Sequence, residues 1–133
     1  MQALTQTLGK VLYIDDDPLN IRLIEKSLTH MGYEFHSALD SQTGLDTARY
    51  LKPDVILMDL HMPGIDGAEA TEIIRADADL HHTLLMAVSA NDRNSAEALM
   101  MESGCNAYLT KPISRSLLLK TVSEALQSVD RVL

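Results

Sequence analysis

Apolar residues in this chain fall into short dense runs that alternate with sparser, helically spaced ones. Lys10-Val11-Leu12-Tyr13-Ile14 is compact and stops at Asp15-Asp16-Asp17. A short β-branched run closed by turn residues reads as a strand buried on both faces. Asp17-Pro18 then reads as a helix start, with Asp at the cap and Pro at the first helical position. Ile21, Ile24, Leu28 and Met31 follow at helical spacing, Leu19 and Leu23 are expected to widen that stripe, and Gly32 supplies the stop. The unit repeats. Strands are predicted at 33–38, 55–58, 83–88 and 107–109, and helices at 41–51, 68–78 and 94–103. A last helix is capped by Ser114 and carries Leu118, Val122, Ala125, Leu126 and Val129. Residues 61–67 form a loop rich in helix breakers.

Five strand–helix units in alternation predict an α/β fold, a doubly wound five-stranded parallel sheet with helices on both faces. The leading strand order is 2-1-3-4-5. Residues 1–9 are polar and aperiodic and are read as an N-terminal tail, with one domain over 10–130. The length of 133 residues agrees with a single domain. Charge changes the picture more than size does. Nineteen acids against 11 Lys plus Arg give −8, which argues against a nucleic-acid surface or an anionic membrane face. The lone Cys105 excludes an internal disulfide framework and any multi-cysteine metal site. The sequence has neither a membrane-spanning apolar run nor a secretory pattern, so a cytoplasmic location is expected.

In such a sheet ligands bind beyond the carboxyl ends of the strands. The first strand ends in Asp15, Asp16 and Asp17, the third in Asp59, the fourth in Ser89 and the fifth near Lys111. Carboxylates a few ångströms apart repel one another unless a cation is present. Oxygen ligands without His or Cys suit a hard ion such as Mg²⁺. An Asp beside such an ion, a lysine and a hydroxyl can act as a nucleophile toward a phosphoryl group. Without a GxxxxGK[ST] or GxGxxG loop, the site is not built for a nucleotide polyphosphate.

Four segments carry a family resemblance. They are residues 11–20 (VLYIDDDPLN), 56–67 (ILMDLHMPGIDG), 87–90 (AVSA) and 104–112 (GCNAYLTKP). In this order, each at a predicted strand end, they resemble the receiver domain of two-component response regulators over about residues 10–129. The resemblance implies the flavodoxin-like form of the fold read above. It implies that Asp59 is a phospho-acceptor, taking a phosphoryl group from a phosphohistidine on a histidine kinase or phosphotransfer protein. By the same resemblance Asp16 is a direct Mg²⁺ ligand, Asp15 acts largely through water, and the backbone carbonyl of His61 is a further ligand. Ser89 is the switch hydroxyl, Lys111 pairs with the acids and then with the phosphoryl oxygens, and Tyr108 changes rotamer with Ser89. A cis Lys111-Pro112 peptide is expected. Phosphorylation is expected to reshape the surface of the fourth helix, fifth strand and fifth helix, through which the family often dimerises or meets partners. The domain is expected to be a switch with intrinsic phosphotransfer and autodephosphorylation rather than a turnover enzyme, either stand-alone or part of a larger regulator or hybrid kinase.

Other residues have plainer readings. Asp17 is read as a cap only, and Cys105 as a small buried hydrophobe. His81 and His82 are adjacent and face differently, which disfavours a shared metal. His61 is read first as an exposed loop residue, and second as a side chain that borders the phosphoryl site and tunes hydrolysis. Met100 is placed on the core face with Ala96 and Leu99, leaving Met101 and Ala98 outside. Two rival functions stand beside the main one. A haloacid-dehalogenase-like phosphatase would use the Asp15-x-Asp17 pair with Asp15 as nucleophile, but leaves Asp59 and its Pro-Gly loop unexplained. A degenerate receiver would only bind a partner, against which stand the intact acids, Ser89 and Lys111. Setting aside Asp15, Asp16, Asp17, Asp59 and Lys111 leaves 15 acids and 10 bases, so three of the eight surplus charges belong to one proposed pocket.

Overall fold

The computed structural model describes residues 7–62, 64, 67–90 and 94–132, with backbone only for 94–96 and 129–132. Along the chain run β1 (Lys10–Ile14), α1 (Pro18–Met31), β2 (Glu34–Ala38), α2 (Ser41–Leu51), β3 (Val55–Asp59), α3 (Gly67–Ala76), β4 (Leu84–Ser89), α4 (Asn94–Ser103), β5 (Ala107–Thr110) and α5 (Arg115–Val132). The strands form one sheet in the order β2-β1-β3-β4-β5, all parallel, as the alternation predicted. The tail residues 1–6, loop residues Pro63, Ile65 and Asp66, and the side chains of Ala96 and Val129 lie outside what is described.

Strand alternation divides the core in two. Val11, Tyr13, Val55, Leu57, Met86 and Val88 point to the α1 and α5 side, where they meet Ile21, Ile24, Leu28, Leu118 and Val122. Leu12, Ile14, Ile56, Met58, Leu85 and Ala87 point the other way, onto Leu45, Ala48, Ala70, Ile74 and Met100 of α2, α3 and α4. Local signals set the helix ends. Asp17 accepts the Leu19 amide at 2.9 Å, Pro18 opens α1, and Gly32 closes it in the left-handed conformation. Ser114 Oγ accepts the Leu117 amide at 3.1 Å and caps α5.

Several expectations need correction. Leu19 and Leu23 do not widen the buried stripe of α1. They form a row of their own on the opposite side of the helix, 59% and 56% exposed, and Met31 is exposed as well. Leu99 is 55% exposed, so Met100 is buried without it while Met101 and Ala98 face outward as expected. β2 starts at Glu34 rather than at Tyr33, because the Tyr33 amide bonds the Leu28 carbonyl and belongs to the end of α1. α3 stops at Ala76, two residues early, because Asp77 turns the chain by accepting the Asp79 amide at 2.8 Å. β4 and β5 each run one residue further than expected, to Ser89 and Thr110, which pair with each other.

Candidate functional site

Register brings the acids together. Ile14 pairs with Met58, so the next step in parallel register sets Asp15 beside Asp59 at neighbouring strand ends. Neighbouring strands lie about 4.8 Å apart, a spacing at which two carboxylates strongly oppose each other. Asp15 and Asp59 are both buried, while Asp16, the next residue, is exposed. Carboxylate oxygens of Asp15, Asp16 and Asp59 all lie within 4.8 Å of one another.

Among the described residues one cation, Lys111, bridges the buried pair. Lys111 Nζ donates to Asp15 Oδ2 at 3.3 Å and to Asp59 Oδ2 at 3.1 Å. The cis Lys111-Pro112 peptide is present, and the Lys111 amide is anchored on the Ser89 carbonyl at 2.7 Å. The two acids are held differently. Asp15 Oδ2 also accepts the Tyr13 hydroxyl at 2.5 Å and Asn20 Nδ2 at 3.3 Å, and Asp15 Oδ1 accepts the Asp17 amide at 2.9 Å. Asp59 Oδ1 accepts the His61 amide at 3.0 Å. The His61 ring then reaches across, with Nε2 2.8 Å from Ser89 Oγ.

Burial raises the carboxyl of Asp59, and neighbouring Asp15 adds to this, against the His61 amide and Lys111, which lower it. Burial acts the same way on Asp15, but there the Tyr13 hydroxyl, the Asp17 amide and Lys111 win, and Asp15 is held below the usual carboxylate range. Burial opposes the charge on Lys111, yet its two acid partners keep its pKa above the ordinary lysine value. Burial also pushes the Tyr13 hydroxyl well up, with Asp15 adding to it, so Tyr13 stays a hydrogen-bond donor. Among the described residues the cleft thus sets three carboxylates against one lysine, and its candidate metal ligands are oxygens. Such a set fits a hard divalent cation.

The structure thus gathers Asp15, Asp16, Asp59, Ser89, Lys111 and His61 at one end of the sheet. Tyr108 stands on β5 opposite Ala87, half-buried against the α2–α4 side of the core. Cys105 is buried as expected. His81 and His82 are exposed, and their rings meet edge to face with centroids 5.0 Å apart. Tyr13 and Asn20 were missed as site residues. Tyr13 reads as plain core in an apolar run, yet residues two apart on a strand share a face, which points its hydroxyl toward Asp15. Asn20 lies one helical turn past Asp16, close enough to return a side chain to the cleft.

A family model for the response regulator receiver domain matches residues 11–123. A polar-differentiation response regulator, DivK of Brucella anthropi, is 34% identical over 116 residues, which is 87% of this chain and 94% of that protein. The receiver domain of the sensor histidine kinase PA1611 from Pseudomonas aeruginosa, solved with a magnesium ion coordinated in its active-site cleft, is 30% identical. It superposes with a TM-score of 0.80 over 87% of this chain and 95% of its own. The chemotaxis protein CheY4 of Vibrio cholerae is 26% identical with a TM-score of 0.83, covering 89% and 98% of the two chains.

Proposed function

The chain belongs to the response regulator receiver domains of two-component signalling, and from that premise we propose that Asp59 is its phospho-acceptor. One observation carries the assignment: two buried acids at adjacent strand ends share a single lysine, and Asp59 is the less encumbered of them. Among the described residues Asp15 accepts four donors, whereas Asp59 accepts two, the His61 amide and Lys111. A carboxylate whose lone pairs are taken up by fixed donors is a poor nucleophile, which favours Asp59 over the Asp15 of a haloacid-dehalogenase-like scheme.

In the proposed reaction an Asp59 oxygen attacks the phosphorus of a phosphohistidine. The P–N bond breaks, the donor imidazole takes up a proton, and Asp59 becomes an acyl phosphate. Lys111 Nζ moves from the acid pair to the phosphoryl oxygens, and the Ser89 hydroxyl turns to bond another of them. Tyr108 follows Ser89 and reshapes the α4-β5-α5 surface. Asp16, Asp59 and the His61 carbonyl would hold Mg²⁺, with Asp15 acting largely through water, in keeping with its saturated oxygens. When bound, the ion neutralises charge on the phosphoryl oxygens. Loss of the phosphoryl group by attack of water on phosphorus restores Asp59, so the domain is a self-resetting switch rather than a turnover enzyme.

The donor is a histidine kinase or a histidine phosphotransfer protein. The exposed Leu19–Leu23 row and the cleft lined by Leu23, Asn20, Lys111, Pro112 and Ile113 offer it an apolar face beside the acceptor. Exposed Leu99, Met101 and Leu117 give the α4-β5-α5 side an apolar surface for a homodimer. Among the described residues no helix is long and apolar enough to cross a membrane. We place the protein in the cytoplasm, with a receiver unit over 10–130 and residues 1–9 ahead of it; the Leu8 amide bonds the Gly32 carbonyl at the end of α1, and the Gly9 carbonyl accepts the Glu34 amide at the start of β2. Incubation with acetyl phosphate and Mg²⁺ tests the assignment. Wild type, quenched in acid, should carry a phosphoryl adduct and Asp59→Asn none; full labelling of Asp59→Asn would sink it.

A further inference from the structure

Ser89 ends β4 almost wholly buried, and its Oγ lies 2.8 Å from His61 Nε2. The same His61 donates its backbone amide to Asp59 Oδ1 at 3.0 Å. One residue thus spans the cleft from the acceptor carboxylate to the hydroxyl across from it. A serine hydroxyl has three staggered positions. Turning Oγ from the position facing His61 to one facing a group on Asp59 gives up the 2.8 Å contact with His61 Nε2. His61 is itself exposed, so its ring can leave Ser89 without unpacking the core.

We propose that His61 is a positioning residue that holds Ser89 in its resting orientation and so sets how readily the switched state is populated. The inference rests on the assignment of Asp59 and Ser89 above. In a two-state equilibrium, a contact made only in the resting state lowers the apparent affinity for any ligand that needs the other state. One hydrogen bond of ordinary net strength corresponds to about a two- to tenfold effect.

The test is a titration of the full chain with beryllofluoride and Mg²⁺, followed by amide resonances of Ser89 and Tyr108. Wild type, His61→Ala, His61→Gln, Ser89→Ala and the double variant His61→Ala/Ser89→Ala are compared. His61→Ala should bind the mimic about two- to tenfold more tightly, and its mimic-free Tyr108 resonance should already be displaced toward the bound position. His61→Gln keeps a hydrogen-bonding end group and should fall between wild type and His61→Ala. In the Ser89→Ala background the His61 substitution should have no further effect, because the partner it restrains is gone. Unchanged or weaker binding by His61→Ala, or equal tightening with and without Ser89, overturns the proposal while leaving the receiver site intact. A wild-type protein that does not bind the mimic overturns both.

Discussion

At the edge of the sheet where strands begin, charged side chains serve the backbone. Asp54 accepts the Lys10 amide at 2.8 Å, and Lys10 Nζ donates to the Leu51 carbonyl at 3.1 Å. Arg75 donates to the carbonyls of Gly104, His81 and Thr83 and to Asn106 Oδ1, all between 2.7 and 3.0 Å. At the edge where strands end, charged side chains confront one another: Asp15, Asp16 and Asp59 crowd together around Lys111. Both edges belong to the same sheet and the same core. The contrast teaches that polar residues which tie loops stabilise the fold, whereas polar residues that oppose one another store a charge imbalance for a ligand to relieve.

Removing charge should therefore act in opposite directions at the two edges. The largest effect is expected from Arg75→Ala, which removes a charged donor from three carbonyls and from Asn106 at once. Urea unfolding should show a loss of about 2–3 kcal/mol, since hydrogen bonds from a charged donor are worth more than neutral ones. Mg²⁺ binding at the far edge should be unaffected. A stability loss no larger than that of an ordinary surface substitution would show that Arg75 does not hold the loops at this edge.

Next comes Tyr13→Phe, which keeps the ring in the core but removes the donor to Asp15. The cost should be about 1–2 kcal/mol at neutral pH, as for a hydrogen bond to a charged acceptor. The sign of its pH dependence follows from the depressed Asp15 carboxyl. Stability from such a group is present above the ordinary aspartate pKa of about 3.9 and is lost as pH falls through the lower native value. Tyr13→Phe should weaken that acid-side loss, because the native pKa of Asp15 moves back toward the ordinary one. Denaturation midpoints measured against pH check this.

The smallest effect is expected at Asp59. Asp59 has a raised native pKa, so its ionisation is resisted by the fold. Relative stability is highest below the ordinary aspartate value and falls as pH rises through the raised native one. In metal-free protein, Asp59→Asn should thus be slightly more stable than wild type at neutral pH, and the gain should vanish in acid. Destabilisation at neutral pH would show that Asp59 is held as a structural ion-pair partner rather than poised for chemistry.

Much of this was legible in the order of apolar runs. Strand identity, sheet order and the set of strand-end polar residues follow from short β-branched runs stopped by Asp, Ser or Lys-Pro, because parallel strands deliver all their carboxyl ends to one edge. Asp17, Gly32 and Ser114 acted as the caps their residue types imply. What was not legible depends on direction rather than identity. Leu19 and Leu23 are apolar and helical, but only their angular position puts them on the far side of α1 from Ile21, Ile24 and Leu28. Tyr13 looked like core because its ring is core, and only its hydroxyl belongs to the site. The reach of His61 to Ser89 joins residues 28 apart through a loop with no periodicity to follow.

The phosphoryl group should go to the third strand end and not the first. Protein labelled with acetyl phosphate and Mg²⁺ can be reduced with borohydride, which converts an aspartyl phosphate to homoserine. Peptide sequencing by mass spectrometry then reads the position. Homoserine is expected at position 59 with Asp15 unchanged; homoserine at position 15 with Asp59 unchanged would contradict the assignment of Asp59.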